Sequence, residues 1–134
     1  MTIRRARDED VEAMCAVDEE ARREFIRRSV HKGAAYVALG DTTVVGYAVF
    51  EHTFFERGFI SMLMVDPMHR RAGVGAAMVR HIEGLCQSER IFTSTNRSNQ
   101  PMQALLRKLG YRHSGTVEDL DPDDPELFFS RRVR

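Results

Sequence analysis

Apolar positions along this chain follow two rhythms in alternation, short continuous runs and longer stretches of helical spacing. Phe59 to Val65 (Phe-Ile-Ser-Met-Leu-Met-Val) is short, apolar and bounded by Gly58 and Asp66-Pro67, which predicts a buried strand. Val74, Ala77, Met78, His81, Ile82 and Leu85 then recur at helical spacing, predicting a helix from near Ala72 to Gln87 whose inward stripe includes His81 as a structural residue. Ile91 to Thr95 is a further strand, and the strand-helix-strand order predicts a right-handed parallel crossover. Upstream, Thr2 to Ala6 alternates weakly as a first strand. Asp8 is placed to cap a helix with Val11, Met14, Cys15 and Val17 inside, and a charged second helix runs from about Glu19 to His31 on Phe25, Ile26 and Val30. Gly33 ends it. Ala34 to Leu39 and Thr43 to Phe50 flank Gly40-Asp41 as a hairpin, and the polar segment Glu51 to Gly58 reads as a link to the next strand, paired antiparallel because the connection is short. Pro101, Met102, Leu105, Leu106 and Leu109 mark a helix opening near Asn99 and stopped by Gly110, and Tyr111 to Glu118 with Leu127 to Val133 forms a final antiparallel pair.

With 134 residues the pattern fits one domain over 1–134 with a real core. Acidic and basic residues balance at 20 each, which argues against general nucleic-acid affinity or membrane attraction. No run approaches the ~18 apolar residues of a membrane span, and the start lacks the apolar run of a signal peptide, so a cytoplasmic location is expected. Cys15 and Cys86 are isolated on predicted helices without metal-ligand spacing; reduced, structural thiols and no metal site are expected.

The chemistry concentrates in Val-Asp-Pro-Met-His-Arg-Arg-Ala-Gly-Val-Gly, residues 65 to 75, where a strand ends and a helix opens. Gly73 and Gly75 carry no side chain, so a ligand can lie against backbone N–H groups that have no partner inside the helix. The helix dipole favours an anion there by roughly 0.3 to 1 kcal/mol, and Arg70 and Arg71 add two positive charges. The dinucleotide fingerprint is absent, because Gly73-Val74-Gly75 is followed by Ala76-Ala77-Met78, and so is the Gly-Lys-Ser/Thr of the phosphate-binding loop.

What remains, Arg70-x-x-Gly73-x-Gly75 after a strand ending Val65-Asp66-Pro67, resembles the coenzyme A pyrophosphate loop of the GNAT superfamily of acetyl-CoA-dependent N-acetyltransferases. A second stretch resembles that family's Asn-x-x-Ala-x-x-x-Tyr-x-Lys-x-Gly-Phe/Tyr signature: Asn99, Lys108, Gly110 and Tyr111 match, while Met102 replaces the alanine and Leu106 the tyrosine. The resemblance implies an α/β (α+β) fold with a mixed, mostly antiparallel sheet of about six or seven strands, a splayed parallel pair and helices on both faces. It implies acetyl-CoA as cofactor and an amine acceptor as partner. The diphosphate would rest on Arg70, Arg71, Ala72, Gly73, Val74, Gly75 and Ala76, and the pantetheine arm beside Leu63, Met64 and Val65 in the gap between the parallel strands. Asn99, Met102 and Leu106 would meet the coenzyme from the other side. The helical pair at the N-terminus would lie over the acceptor.

The family often takes the amine proton with a glutamate where Ser61 stands here, so the base is sought among Glu51, His52, Glu118 and Asp119, or water held by them; histidine titrates in the useful range. The general acid that a tyrosine supplies in the family is missing at Leu106. The run Glu118 to Glu126, with Asp119, Asp121, Asp123 and Asp124, reads either as a solvated loop or as an anionic rim for a cationic acceptor. An acyl-CoA-binding or regulatory domain without catalysis is the alternative to a transferase. Homodimers are common in the family, but the sequence singles out no interface.

Overall fold

A computed structural model describes all 134 residues. Its strands are β1 (Thr2–Arg5), β2 (Ala35–Gly40), β3 (Thr43–Phe54), β4 (Arg57–Val65), β5 (Arg90–Asn96), β6 (Arg112–Val117) and β7 (Glu126–Arg132). Its helices are α1 (Val11–Val17), α2 (Arg23–His31), α3 (Val74–Glu83) and α4 (Gln100–Lys108). The seven strands join in the order β1-β2-β3-β4-β5-β7-β6, with β4 and β5 parallel, so the expected mixed sheet is present. Two compact units divide the chain, Met1–Phe50 with Ser61–Leu85 and Glu51–Ile60 with Cys86–Arg134.

In the first unit β1, β2 and β3 form an antiparallel meander, from Ile3↔Ala38 to Val37↔Tyr47. Tyr47 and Val49 of β3 share a core with Met14 and Cys15 of α1 and Ile26 and Val30 of α2. Each such side chain contributes about 1.5 to 3 kcal/mol by leaving water. Gly46, one residue from Tyr47, faces the other way: a Cβ there would meet Met64 O at 2.9 Å and Val74 Cγ1 and Met78 Sδ at 3.3 Å. Helices therefore lie on both faces of β3, and α3 approaches so closely that only hydrogen fits at Gly46.

The second unit is built on β5. It pairs in parallel with Gly58–Ile60 of β4 and antiparallel with β7, which pairs with the edge strand β6. Thr93 Oγ1 donates to Ile60 O at 2.8 Å at the Ile60↔Thr93 step of the parallel ladder. Helix α4 opens with Asn99, whose Oδ1 accepts from Met102 N at 3.2 Å, and its Leu106 is fully buried.

Several boundaries differ from the pattern. Glu51 to Gly58 is no loose link: β3 continues to Phe54, β4 starts at Arg57, and Phe55-Glu56 makes the two-residue turn with φ of 51° and 67°. Such turns favour Asn-Gly, so Phe-Glu conceals the hairpin from sequence reading. Helix α2 starts at Arg23 rather than Glu19, because Asp18 to Arg22 forms a turn with Ala21 at φ 46°. Asp8 does not cap α1; Asp10 accepts from the Arg7 amide at 2.7 Å and holds Arg4 at 2.7 Å. Helix α3 runs from Val74 to Glu83, and it buries Val74, Met78, Val79 and Ile82. His81 is exposed and Leu85 is 40% exposed, correcting the inward assignment: apolar residues occupy two neighbouring rows of this helix, and the sheet covers one.

Candidate functional site

The proposed phosphate loop lies wholly in the first unit. After Val65, Asp66 N donates to Val45 O at 2.9 Å and the Asp66 carboxylate meets His69 Nδ1 at 2.7 Å, which pins the turn Pro67–His69. Residues 68 to 73 are exposed. Gly73 takes φ 81°, a left-handed conformation that suits glycine, and a Cβ there would find nothing within 4 Å. The chain then enters α3 with no side-chain cap, and the first helical N–H to find a carbonyl is that of Ala77, donating to Gly73 O at 3.0 Å. The amides of Val74, Gly75 and Ala76 have no acceptor inside the helix, and the space beside Gly73 is open, as an anion site requires. Arg71 holds φ 70°, a costly conformation for a side-chain-bearing residue, next to those amides. Leu63, Met64 and Val65 are half-buried despite lying mid-sheet, and Ser61 is exposed.

Arg70 brings a group that sequence reasoning missed. Its Nε donates to Val65 O at 3.2 Å, and its Nη2 forms an ion pair with Glu19 on the turn between α1 and α2. That turn is built on Asp18, whose side chain is fully enclosed. It accepts from Tyr47 Oη at 2.7 Å, Glu20 N at 2.9 Å and Arg22 Nη1 at 2.8 and 3.0 Å. Burial opposes the Asp18 charge, but the Tyr47 and Glu20 hydrogen bonds and the Arg22 charge outweigh it, leaving the carboxyl below its ordinary range. Burial first, then the neighbouring Asp18, pushes the Tyr47 hydroxyl up. The turn carrying Glu19 is thus tied to the core from below. An isolated Asp or Tyr gives no sequence signal for such a pair, since 29 residues separate them.

The remaining candidates belong to the second unit. His52 Nε2 accepts from Gln87 N at 2.9 Å, so that lone pair is already used. Glu51 is half-buried on β3, and Glu118 and Asp119 are exposed after β6, Asp119 with φ 72°. The acidic run is fastened rather than open: Asn96 Nδ2 donates to Asp121 at 2.9 Å, and Ser98 N and Oγ donate to the two oxygens of Asp124 at 3.0 and 2.6 Å. Ser98 holds the Asp124 carboxyl below its usual range, and Asp123 is exposed at φ 59°. Of the α4 residues, Asn99 caps the helix, Met102 is half-buried, and Leu106 has no exposed surface to offer a ligand. Glu126, not singled out by the sequence, is half-buried and accepts from Ser94 Oγ at 2.7 Å. A cavity of about 580 Å³ beside Glu56, Arg57, Ser88, Glu89, Arg90 and Phe92 contains none of the nominated residues.

The arrangement of sheet, crossover helix and bare helix start places the chain in a class: residues 3–111 match the model of the Acetyltransferase (GNAT) family, and the chain belongs to that family. Among solved structures it is similar to an acetyltransferase of the GNAT family from Bacillus cereus ATCC 10987, with 29% identity, 98% of this chain and 96% of that one covered, and a TM-score of 0.91. The fold is also shared by Ard1 from Thermoplasma volcanium (19% identity, 99% and 97% covered, TM-score 0.88). It is shared too by the ribosomal-protein-S18-alanine N-acetyltransferase from Escherichia coli (16%, 98% and 93%, TM-score 0.82). The chain matches no curated protein sequence. No helix is long and apolar enough to cross a membrane.

Proposed function

We propose that this protein is an N-acetyltransferase that moves the acetyl group of acetyl-CoA to a primary amine, on a small molecule, a peptide N-terminus or a lysine, by direct attack in a ternary complex. The observation that carries this reading is the uncapped start of α3 behind Gly73 at φ 81°, with Arg70 and Arg71 exposed beside it. The amides of Gly73 to Ala76 and the two guanidinium groups bind the diphosphate, and the half-exposed strand Leu63–Val65 pairs with the pantetheine arm as an added strand. A backbone N–H of that strand polarises the thioester carbonyl. The neutral amine attacks the carbonyl carbon, the nitrogen gives its surplus proton to water as the carbon–sulfur bond breaks, and the coenzyme leaves as a thiolate. Water protonates it, since Leu106 stands where the family's tyrosine would be, and a thiolate is a tolerable leaving group near neutral pH.

The proton of the incoming ammonium goes to a carboxylate or to water it holds, with Glu51 and Glu118 the candidates; Nε2 of His52, the third candidate, is engaged by Gln87 N. Asp119, Asp121, Asp123 and Asp124 favour a cationic acceptor by charge. The two buried thiols suit a reducing cytoplasm. A second reading, an acyl-CoA-binding domain without turnover, draws on Ser61 and Leu106. Thiol release from acetyl-CoA across polyamines, amino acids, aminoglycosides and peptide N-termini decides between them. Release with one amine class supports the transferase. Thermal stabilisation by acetyl-CoA with no release from any amine supports the second reading, and no stabilisation refutes both.

A further inference from the structure

We propose that the cavity at the start of β4 and β5 binds a small zwitterion, an α-amino acid with an aromatic side chain. The cavity holds about 580 Å³, a volume typical of small-molecule sites, and Glu56, Arg57, Ser88, Glu89, Arg90 and Phe92 line it. All six residues belong to the second unit, and none belongs to the coenzyme loop.

Two rows of side chains set its character. Arg57 and Arg90 stand one step before the Gly58↔Ile91 pair of the parallel ladder, and Phe59↔Phe92 stands one step after it. Side chains alternate between the faces of a sheet, so the arginines and the phenylalanines share a face, the cationic row about 6 to 7 Å from the aromatic row along the strands. Ser88 fixes the arginine row. Its Oγ accepts from Gly58 N at 3.0 Å and donates to Arg90 O at 2.8 Å, which ties the first residues of both strands to one hydroxyl.

Charge selects the ligand. Arg57 uses Nη1 on Phe55 O, Arg90 uses Nε on Ser130 Oγ at 3.2 Å, and neither guanidinium forms an ion pair. Glu89 does not neutralise them, because it pairs with Arg132 at 2.7 Å. Like charges side by side on neighbouring strands are destabilising, and both side chains keep donors free to grip an oxyanion between them. A carboxylate there makes charge-assisted hydrogen bonds and relieves the repulsion. Glu56 is exposed, forms no ion pair and would repel a simple anion, so it calls for a cationic group beside the anionic one. An α-amino acid carries both groups on one carbon, and its side chain extends from there to the Phe92 ring, which is half-buried and lies 5.2 Å from Phe54 between centroids.

L-Phenylalanine is the probe, titrated into the intact chain by calorimetry with no acetyl-CoA present, so the outcome does not depend on any acetyl transfer. Binding with a Kd of about 1 mM or below is expected. 3-Phenylpropanoate lacks the ammonium and 2-phenylethylamine lacks the carboxylate, and each should bind about tenfold more weakly or worse. Arg57→Gln, at an exposed position, should weaken phenylalanine binding about tenfold with unchanged far-ultraviolet circular dichroism. Glu56→Gln should weaken phenylalanine by a similar factor yet leave 3-phenylpropanoate bound as before or tighter, a split that loss of the fold would not produce. Absence of binding at about 10 mM phenylalanine would overturn the proposal. So would wild-type affinity in Arg57→Gln, or either fragment binding as tightly as phenylalanine.

Discussion

Removing one oxygen atom tests the account of how the turn beside the phosphate loop is held. In Tyr47→Phe the fully buried ring stays and the 2.7 Å hydrogen bond to Asp18 is lost. The Asp18 side chain has no exposure, so water does not readily replace the donor, although Arg22 still bonds Oδ2 at 3.0 Å. A hydrogen bond to a charged group contributes about 1.5 to 3 kcal/mol, which puts the loss near 2 kcal/mol. Unfolding entropy of about 2.1 cal/mol/K per residue gives roughly 0.28 kcal/mol/K for a chain of 134 residues, so Tm should fall by about 7 °C. The pH dependence carries the sign. Asp18 has a depressed pKa in the folded state, so its contribution is present above the ordinary carboxyl value and is lost as pH falls through the folded value. Tyr47 has a raised pKa, so its contribution holds below about pH 10, the ordinary phenol value, and is lost as pH rises beyond it. The stability gap between wild type and Tyr47→Phe is therefore widest between about pH 5 and pH 9 and narrows at both extremes. Calorimetric melts and urea titrations at pH 3, 7 and 10.5 measure it. An unchanged Tm at pH 7, or a gap as wide at pH 3 as at pH 7, would refute the reasoning.

Three further outcomes are expected. Gly73→Glu places a carboxylate at the proposed diphosphate site and strains a backbone at φ 81°, so coenzyme binding should vanish; calorimetry that finds wild-type affinity would remove the loop from the site. Glu19→Gln frees Arg70 from a competing carboxylate, so coenzyme A should bind a few-fold tighter, by about 0.5 to 1 kcal/mol given the exposure of this pair; weaker binding would mean that Glu19 positions Arg70 instead. Asp123→Asn should raise KM for cationic acceptors without moving Tm, whereas Asp124→Asn should lower Tm because both oxygens hold Ser98; equal effects on acetyl-CoA and acceptor would exclude the anionic rim.

Much of the fold, and the bare start of α3 behind Gly73, was legible in the linear order of residues, because those features depend on local chemistry. Apolar runs bounded by Gly and Pro fix strands such as Phe59 to Val65. The pair Gly73 and Gly75, behind two arginines at the head of an amphipathic stretch, defines a bare helix start whatever packs elsewhere. Only the folded chain decided which row of α3 faces inward, since His81 and Leu85 are as regularly spaced as Val74, Met78 and Ile82 and the sheet has room for one row. The same holds for the Phe55-Glu56 turn, whose left-handed backbone runs against local preference, and for Asp18 with Tyr47, two residues 29 apart whose pairing is set by burial. Local propensity travels with neighbouring residues, whereas long-range burial and charge pairing exist only after distant segments have met.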